Sequence, residues 1–352
     1  MQTLLTHVRR LHSIEPANRD HLPALRVALS VAVPSLVLLT IGRPDLMIYA
    51  VFGAFTGMYG RREPHQLRLR HQGQAAILLL AGVSVGVGLS ANHVPGWGLV
   101  LVETAFAGLG SLFSDRIRLR PNGPFFAILA LGACASVPAG TPWHVAVLIA
   151  ALSAAFSMVV GFVGWVRGRS WNPTVVRNAG PLLGRRRQEA LVHALKYVAA
   201  VGTAGSIGVI SGSGHPHWAM AAAAVPLAAA DMPSSVYRGI HRIVGTFLGL
   251  VVVAVVLFQG PMSPLLLFPG NEPAVLAIVV IACQFTTELF MTRHYGLAMV
   301  SFTPVILLTA QLADPIDPYI LVMERGIETL VGALVGIAVV VLLRRPLRRA
   351  GS

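Results

Sequence analysis

A chain of 352 residues has the length of two soluble domains, but 55% of it is hydrophobic, 12% is charged and its mean hydropathy is +0.70. That composition lies outside the globular range and excludes a pair of ordinary soluble domains. The net charge of +13 comes from arginines in short segments without interleaved aromatics, which points away from nucleic acid and towards membrane topology and anionic lipid.

A membrane span needs about 20 mainly apolar residues, and fewer where Gly and Pro interrupt it. The first half of the chain reads as six spans, at roughly 22–41, 44–60, 73–91, 98–113, 122–137 and 143–166. The second half reads as six more, at roughly 190–210, 216–230, 243–258, 273–291, 295–312 and 319–343. Residues 1–14 have apolar and basic positions that suit a short helix on the inner leaflet or a disordered tail. No cleavable signal is apparent before the first span. The basic, Gly- and Pro-containing stretch 167–189 is too short to fold alone. The expected organisation is a first six-helix repeat at 1–166, a cytoplasmic linker at 167–189 and a second six-helix repeat at 190–352. The expected fold class is an all-α integral membrane protein of about 12 helices. Cys134 and Cys283 lie inside apolar runs and far apart, so neither a disulfide framework nor a metal site is expected.

Charge placement orients these spans. Of the 27 Lys and Arg residues, 23 fall in seven short segments: around Arg9–Arg19, Arg61–Arg70, Arg116–Arg120, Arg167–Arg187, Arg238–Arg242, Arg293 and Arg344–Arg349. The turns between them, such as 92–96, 138–142 and 211–216, carry no Lys or Arg. Cytoplasmic loops accumulate basic residues and translocated loops do not, so every basic segment is placed inside and both termini are cytoplasmic. Among the outer turns only Arg43 departs from the pattern. The expected location is the inner (plasma) membrane.

The halves also read as copies. Gly42-Arg43-Pro44 aligns with Gly214-His215-Pro216, and Arg70-His71-Gln72-Gly73 aligns with Arg242-Ile243-Val244-Gly245, both at a shift of 172 residues. Asn122-Gly123 and Tyr295-Gly296 differ by 173. Six spans per copy is even, so the copies run parallel, related by an axis along the membrane normal. Such repeats place a substrate path at their interface.

Three stretches of the second half carry a family resemblance: His217-Trp218-Ala219, the run from Tyr237-Arg238-Gly239 to Gly245-Thr246-Phe247-Leu248-Gly249, and Glu324-Arg325-Gly326-Ile327-Glu328-Thr329. Together they resemble the fusaric acid resistance (FUSC) family of the aromatic acid exporter group. That resemblance implies proton-driven export of small aromatic carboxylic acids or related toxic compounds. Larger members carry a cytoplasmic domain after each membrane half, which has no counterpart in this sequence. The first half has Gln74 where the second has Thr246, and no arginine matching Arg325.

Arg70 and Arg242 are placed at the cytoplasmic mouths of spans three and nine, each three residues before a glycine, Gly73 or Gly245. The glycine admits a close backbone, and the arginine suits either a lipid phosphate or the capture of an anionic substrate. Arg238, one turn earlier, doubles the charge on that face. Charged side chains within spans are costly and mark cavities or partners. Glu103, Glu288, Glu324 and Glu328 qualify, with Arg325 as the accompanying base. Glu324 and Glu328 lie one turn apart, with Arg325 about 100° away around the helix. The set suits a proton-coupling unit or an interhelical ion pair. His215, His217 and Trp218 read as a solvated outer turn with an interfacial Trp, too few ligands for a metal. Asp314 and Asp317, each before Pro, read as a rigid outer turn. Gly245/Gly249, Gly332/Gly336 and Gly53/Gly57 read as close helix packing inside the protein.

No His-Glu-x-x-His, Gly-x-Ser-x-Gly or phosphate loop occurs, so neither an enzyme nor a cofactor is expected. The expected partners are membrane lipids and a small anionic or aromatic substrate, with a second copy or an efflux partner protein left open. A non-transporting scaffold or accessory subunit is the rival reading. The topology is checked by cysteine labelling: an impermeant reagent applied from outside should modify Ala139→Cys and spare Gly180→Cys, and the reverse would invert the orientation.

Overall fold

The computed structural model describes residues 16, 19–61, 63–168, 181–229, 232–258 and 263–343. Residues 1–14, Arg62, most of the linker (including Gly180) and the Arg344–Arg349 segment lie outside the described residues. Among the described residues the protein is all-helical. Six helices come from the first half: α1 (His21–Thr40), α2 (Met47–Ala54), α3 (His65–Ala91), α4 (Gly96–Ile117), α5 (Phe125–Ser136) and α6 (Trp143–Gly168). The second half gives α7 (Gly184–Ile210), α8 (His217–Ala224), α9 (Met232–Leu257), α10 (Glu272–Phe290), α11 (Tyr295–Ala313) and α12 (Pro318–Leu342).

Nine of the described helices are long and apolar enough to cross a membrane. The other three, α2, α5 and α8, are short. Every residue of α2 and α8 is buried, as is α5 from Phe125 to Cys134. A helix that is apolar all round must be enclosed by protein, and these three form the centre together with the largely buried α11. The long helices wrap them and turn Ile77, Leu101, Leu109 and Ile210 outwards, as a lipid-facing surface requires. Short 3-10 turns, Phe55–Met58 and Pro226–Ala228, extend α2 and α8 and give way to extended backbone at Tyr59 and Ala229. Non-helical backbone inside an apolar bundle is tolerated only where protein or a cavity surrounds it.

Within the first half α3 packs on α5 and α6, and α2 packs on α6; within the second, α9 packs on α11 and α12, and α8 packs on α12. Between halves, α4 lies on α7, α1 on α10, α5 on α8 and α2 on α11. Gly332 and Gly336 of α12 press against the Ala219 and Ala223 carbonyls of α8, and Gly245 and Gly249 of α9 against the Gly296 and Val300 carbonyls of α11. Arg43, the exception among the outer turns, is exposed and paired with Asp45 at 2.8 Å. Its hydrogen bond to the Asp45 carboxylate raises its pKa above the ordinary guanidinium value, so the pair adds no net charge to that turn.

Two expectations need correction. Helices α3, α7 and α9 begin at His65, Gly184 and Met232, well before the apolar runs at 73, 190 and 243. Their first turns are amphipathic extensions whose polar residues the hydropathy of the run does not reveal. Arg242 therefore does not open its helix: it lies ten residues past Met232, about 15 Å along the axis. The 172-residue shift also fails here, because α9 starts 167 residues after α3 (232 less 65). The connection before α9, at 229–231, is three residues shorter than its counterpart at 59–64. Arg70 and Arg242 are consequently not equivalent. Arg70 is exposed, whereas Arg242 is fully buried.

A Cβ on Gly332 would overlap the Ala219 carbonyl, whereas one on Gly88 meets nothing within 4 Å. Gly332→Ala should therefore lower the melting temperature by the equivalent of about 1–3 kcal/mol. Gly88→Ala should be neutral or stabilising by up to about 1 kcal/mol, which detergent-solubilised melting curves resolve.

Candidate functional site

Where the irregular ends of α2 and α8 meet the starts of α5 and α11, a cavity of about 440 Å³ opens at the arginine-rich end of the bundle. Both halves line it. Met58, Arg61 and Glu63 come from the segment after α2, Arg120 and Asn122 from the approach to α5, and Phe125 and Phe126 from its first turn. The second half adds Val225 and Ala228 beyond α8, Arg238 of α9, Glu288 of α10, Met291 just past it, and Tyr295 and Met299 of α11. The wall is mostly apolar and aromatic, with a few charges, as is usual for a small-molecule pocket.

One ion pair clasps the two halves at the rim. Arg61 Nη1 donates to Glu288 Oε2 at 2.9 Å, and the Glu288 side chain is 1% exposed. Arg61 also reaches Asp20 Oδ1 at 3.5 Å. Glu288 is therefore the buried partner of an arginine from the other half. Arg238 sits over the Tyr295 ring at 5.7 Å, and its Nη1 donates to the Ala228 carbonyl at 3.4 Å. Arg120 is exposed at the mouth.

Below the rim, Arg242 is fully buried. Its guanidinium lies 5.4 Å from the centre of the Phe125 ring, and Nη1 donates to Met299 Sδ at 3.2 Å. Nε and Nη2 have no hydrogen-bond partner of ordinary geometry, although the Tyr295 side chain lies alongside. Thr246, one turn further along α9, is equally buried, and its hydroxyl has no partner. Gly245 between them lets α11 approach. The floor is a knot of aromatic rings: Phe126 lies 5.0 Å from Phe125, 5.7 Å from Phe55 and 5.8 Å from Phe302.

A second polar cluster occupies the other end of the core. Glu324 Oε2 pairs with His215 Nδ1 at 2.5 Å, and His215 stacks on Trp218 with ring centres 4.6 Å apart. Arg325 lies over Trp218 at 5.3 Å from the ring centre. His217 Nδ1 is 3.0 Å from Ser136 Oγ of α5. Glu328 is buried, with Oε2 unpartnered and Ser213 and the Ala219 backbone as its hydrogen-bonding neighbours. Glu103 of α4 is fully buried, and neither of its oxygens has a partner. His217 and Trp218, each 2% exposed, are thus not a solvated turn. The connection before α8 folds inwards and delivers them to the core at the start of that helix. Among the described residues no three His, Cys, Asp or Glu side chains group so as to hold a metal ion.

Residues 201–339 match the family described as fusaric acid resistance protein-like. The match covers 139 of the 352 residues, all in the second half, and supports FUSC-family membership. No curated protein and no solved structure matches the chain. The FUSC match spans α8, α9 and most of α12, and so includes Arg238, Arg242, Gly245, Thr246, Glu324, Arg325 and Glu328. Arg70 stands apart from these, in an exposed groove with Gln74 and Arg116. Phe125, Phe126, Tyr295 and Arg61 were not singled out by sequence. Only the Asn122 and Tyr295 landmarks, which open α5 and α11, hinted at that place.

Removing one partner of a buried ion pair leaves an uncompensated charge. Arg61→Met alone should cost about 3–5 kcal/mol of stability. The Arg61→Met/Glu288→Met double variant should recover the part due to Glu288, whose charge then leaves the interior with that of Arg61, while Asp20 keeps its other contacts, such as Thr292. Melting of the three proteins tests the clasp, and additive losses would show that the pair is not coupled.

Proposed function

We propose that this FUSC-family membrane protein is an exporter of small aromatic carboxylates, which it loads into the cavity between its halves from the cytoplasmic side. The observation that carries this reading is Arg242: a fully buried guanidinium backed by Phe125, with Nε and Nη2 left without ordinary partners beneath an aromatic-walled cavity. A planar fork of donors matches a carboxylate bidentately. In a site closed to water that attraction is far stronger than in solution. Phe125, Phe126 and Tyr295 offer ring faces and edges to an aromatic body, and the sulfurs of Met291 and Met299 adapt to its shape.

The topology we infer is twelve spans, α2, α5 and α8 included, in two parallel six-helix repeats with both termini inside. Its support is the alternation of basic and uncharged connections and the recurrence of the same helix pairings in both halves. In this frame the cavity opens inwards and the ring knot Phe55–Phe126–Phe302 closes it outwards. Export requires that knot to part as the halves move against one another. Protons supply the drive, with Glu103 the favoured carrier: it is fully buried with both oxygens unpartnered, a costly state for a carboxylate in a membrane. Glu288 is tied to Arg61 and Glu324 to His215, which leaves them less free to take up that role. A scaffold would pair and seal its buried charges. Arg242, Arg325 and Glu103 do not fit that picture.

Vesicles loaded with benzoate test the reading. Arg242→Gln should reduce export about tenfold or more, the equivalent of a lost charge-assisted hydrogen bond. Arg185→Ala, at an exposed position, should not change it. Equal effects from both would reduce Arg242 to a structural residue. Glu103→Gln should remove the dependence of the remaining export on the proton gradient, and an unchanged response to an uncoupler would exclude Glu103 as the carrier.

A further inference from the structure

The cavity accounts for Arg242 but leaves a second guanidinium unexplained. Arg325 and Arg242 head the fully buried side chains by size. Arg325 sits on α12, seven residues beyond Pro318, about 10 Å along the axis from the end opposite the cavity mouth. All three of its nitrogens, Nε, Nη1 and Nη2, are buried and have no hydrogen-bond partner. The carboxylates of its own helix do not satisfy it: Glu324 is paired with His215, and Glu328 faces Ser213 and the Ala219 backbone. The guanidinium is held instead by the Trp218 ring, 5.3 Å away, and Trp218 is itself backed by the stacked His215. Five donors on a planar fork, dry and without acceptors, are expensive unless an acceptor visits them. The construction repeats that of Arg242 over Phe125 at 5.4 Å, and the two guanidiniums are near enough to act on one another electrostatically.

We propose that Arg325 and Trp218 form a second anion station, which receives the carboxylate of an aromatic acid after it leaves Arg242. The proposal rests on the exporter reading and adds a site to its path. The groups that face this station are His217 and Trp218 of α8, Arg242 of α9, and Glu324 and Glu328 of α12. With the Trp218 faces taken by Arg325 and His215, an aromatic acid meets Trp218 at its edge and places its carboxylate on the Arg325 fork. The competing role for Arg325 is as an ion-pair partner of Glu103, whose carboxylate lies behind Gly132 and against His217.

Trp218 reports directly on the station. With Trp97, Trp143, Trp165 and Trp171 replaced by Phe, the purified full-length protein retains one indole, and benzoate is the probe. Benzoate should change the Trp218 emission saturably. The change should survive Glu103→Gln, and Arg325→Gln should abolish it or raise the half-saturating concentration about tenfold or more. A missing change overturns the proposal, as does one that persists unaltered in Arg325→Gln. An equal loss in Glu103→Gln assigns Arg325 to the ion pair and also overturns it. If Arg325→Gln fails to fold, Arg325→Lys carries the test: it keeps the charge and loses the fork, so an unchanged half-saturation would refute the station. Absent benzoate export with an intact Trp218 titration counts against the exporter reading and not against this site.

Discussion

Backbone that is not helical cannot face lipid, because its N–H and C=O groups would have no partners there. Helices α2 and α8 stop after eight residues and run through 3-10 turns into extended backbone at Tyr59 and Ala229. Their ends must therefore be walled in. The long helices supply the wall, and glycines such as Gly332 and Gly245 bring it close enough for carbonyls and Cα atoms to touch. The space that remains where short helices end is the cavity. Its position thus follows from helix length, and its lining from whichever residues happen to border the breaks.

Charge then divides this interior by function. Arg61 and Glu288 satisfy one another and join the halves at the rim, a structural use of a buried pair. Arg242 and Arg325 are held by aromatic rings and sulfur more than by carboxylates. Ring contacts offset only part of the desolvation of a guanidinium, so both retain an unmet demand for acceptors. Phe125, which backs Arg242, belongs to the aromatic knot, whereas Arg325 rests on Trp218.

Much of this was legible in the sequence. Apolar run length marked the long spans, and α2, α5 and α8 were also located, within a few residues, despite their brevity. Glycine spacing identified the packing faces of α9 and α12. What failed has a common cause in helix ends. Hydropathy follows the apolar run, so the amphipathic first turns of α3 and α9 went unseen, and Arg242 was placed at a helix start when it is fully buried about 15 Å along the axis. Helix α9 starts 167 residues after α3, five fewer than the shift of 172 that made Arg70 look like its twin. His217 and Trp218 were read as a solvated turn with an interfacial Trp at the start of their span, although the helix they start is buried throughout. Phe125 and Phe126 carried no signal, since an apolar residue on a span reads the same whether it meets lipid, protein or ligand.

The central claim is that the cavity between the halves is open to the cytoplasm and holds an aromatic anion. Met291 borders that cavity, so a single cysteine placed there, with Cys134 and Cys283 replaced by Ala, reports on it directly. In inside-out vesicles an impermeant thiol reagent should modify Met291→Cys, and benzoate should slow that modification in a concentration-dependent manner. In right-side-out vesicles the same cysteine should be spared. Modification from the outside, or a rate indifferent to benzoate, would contradict the account.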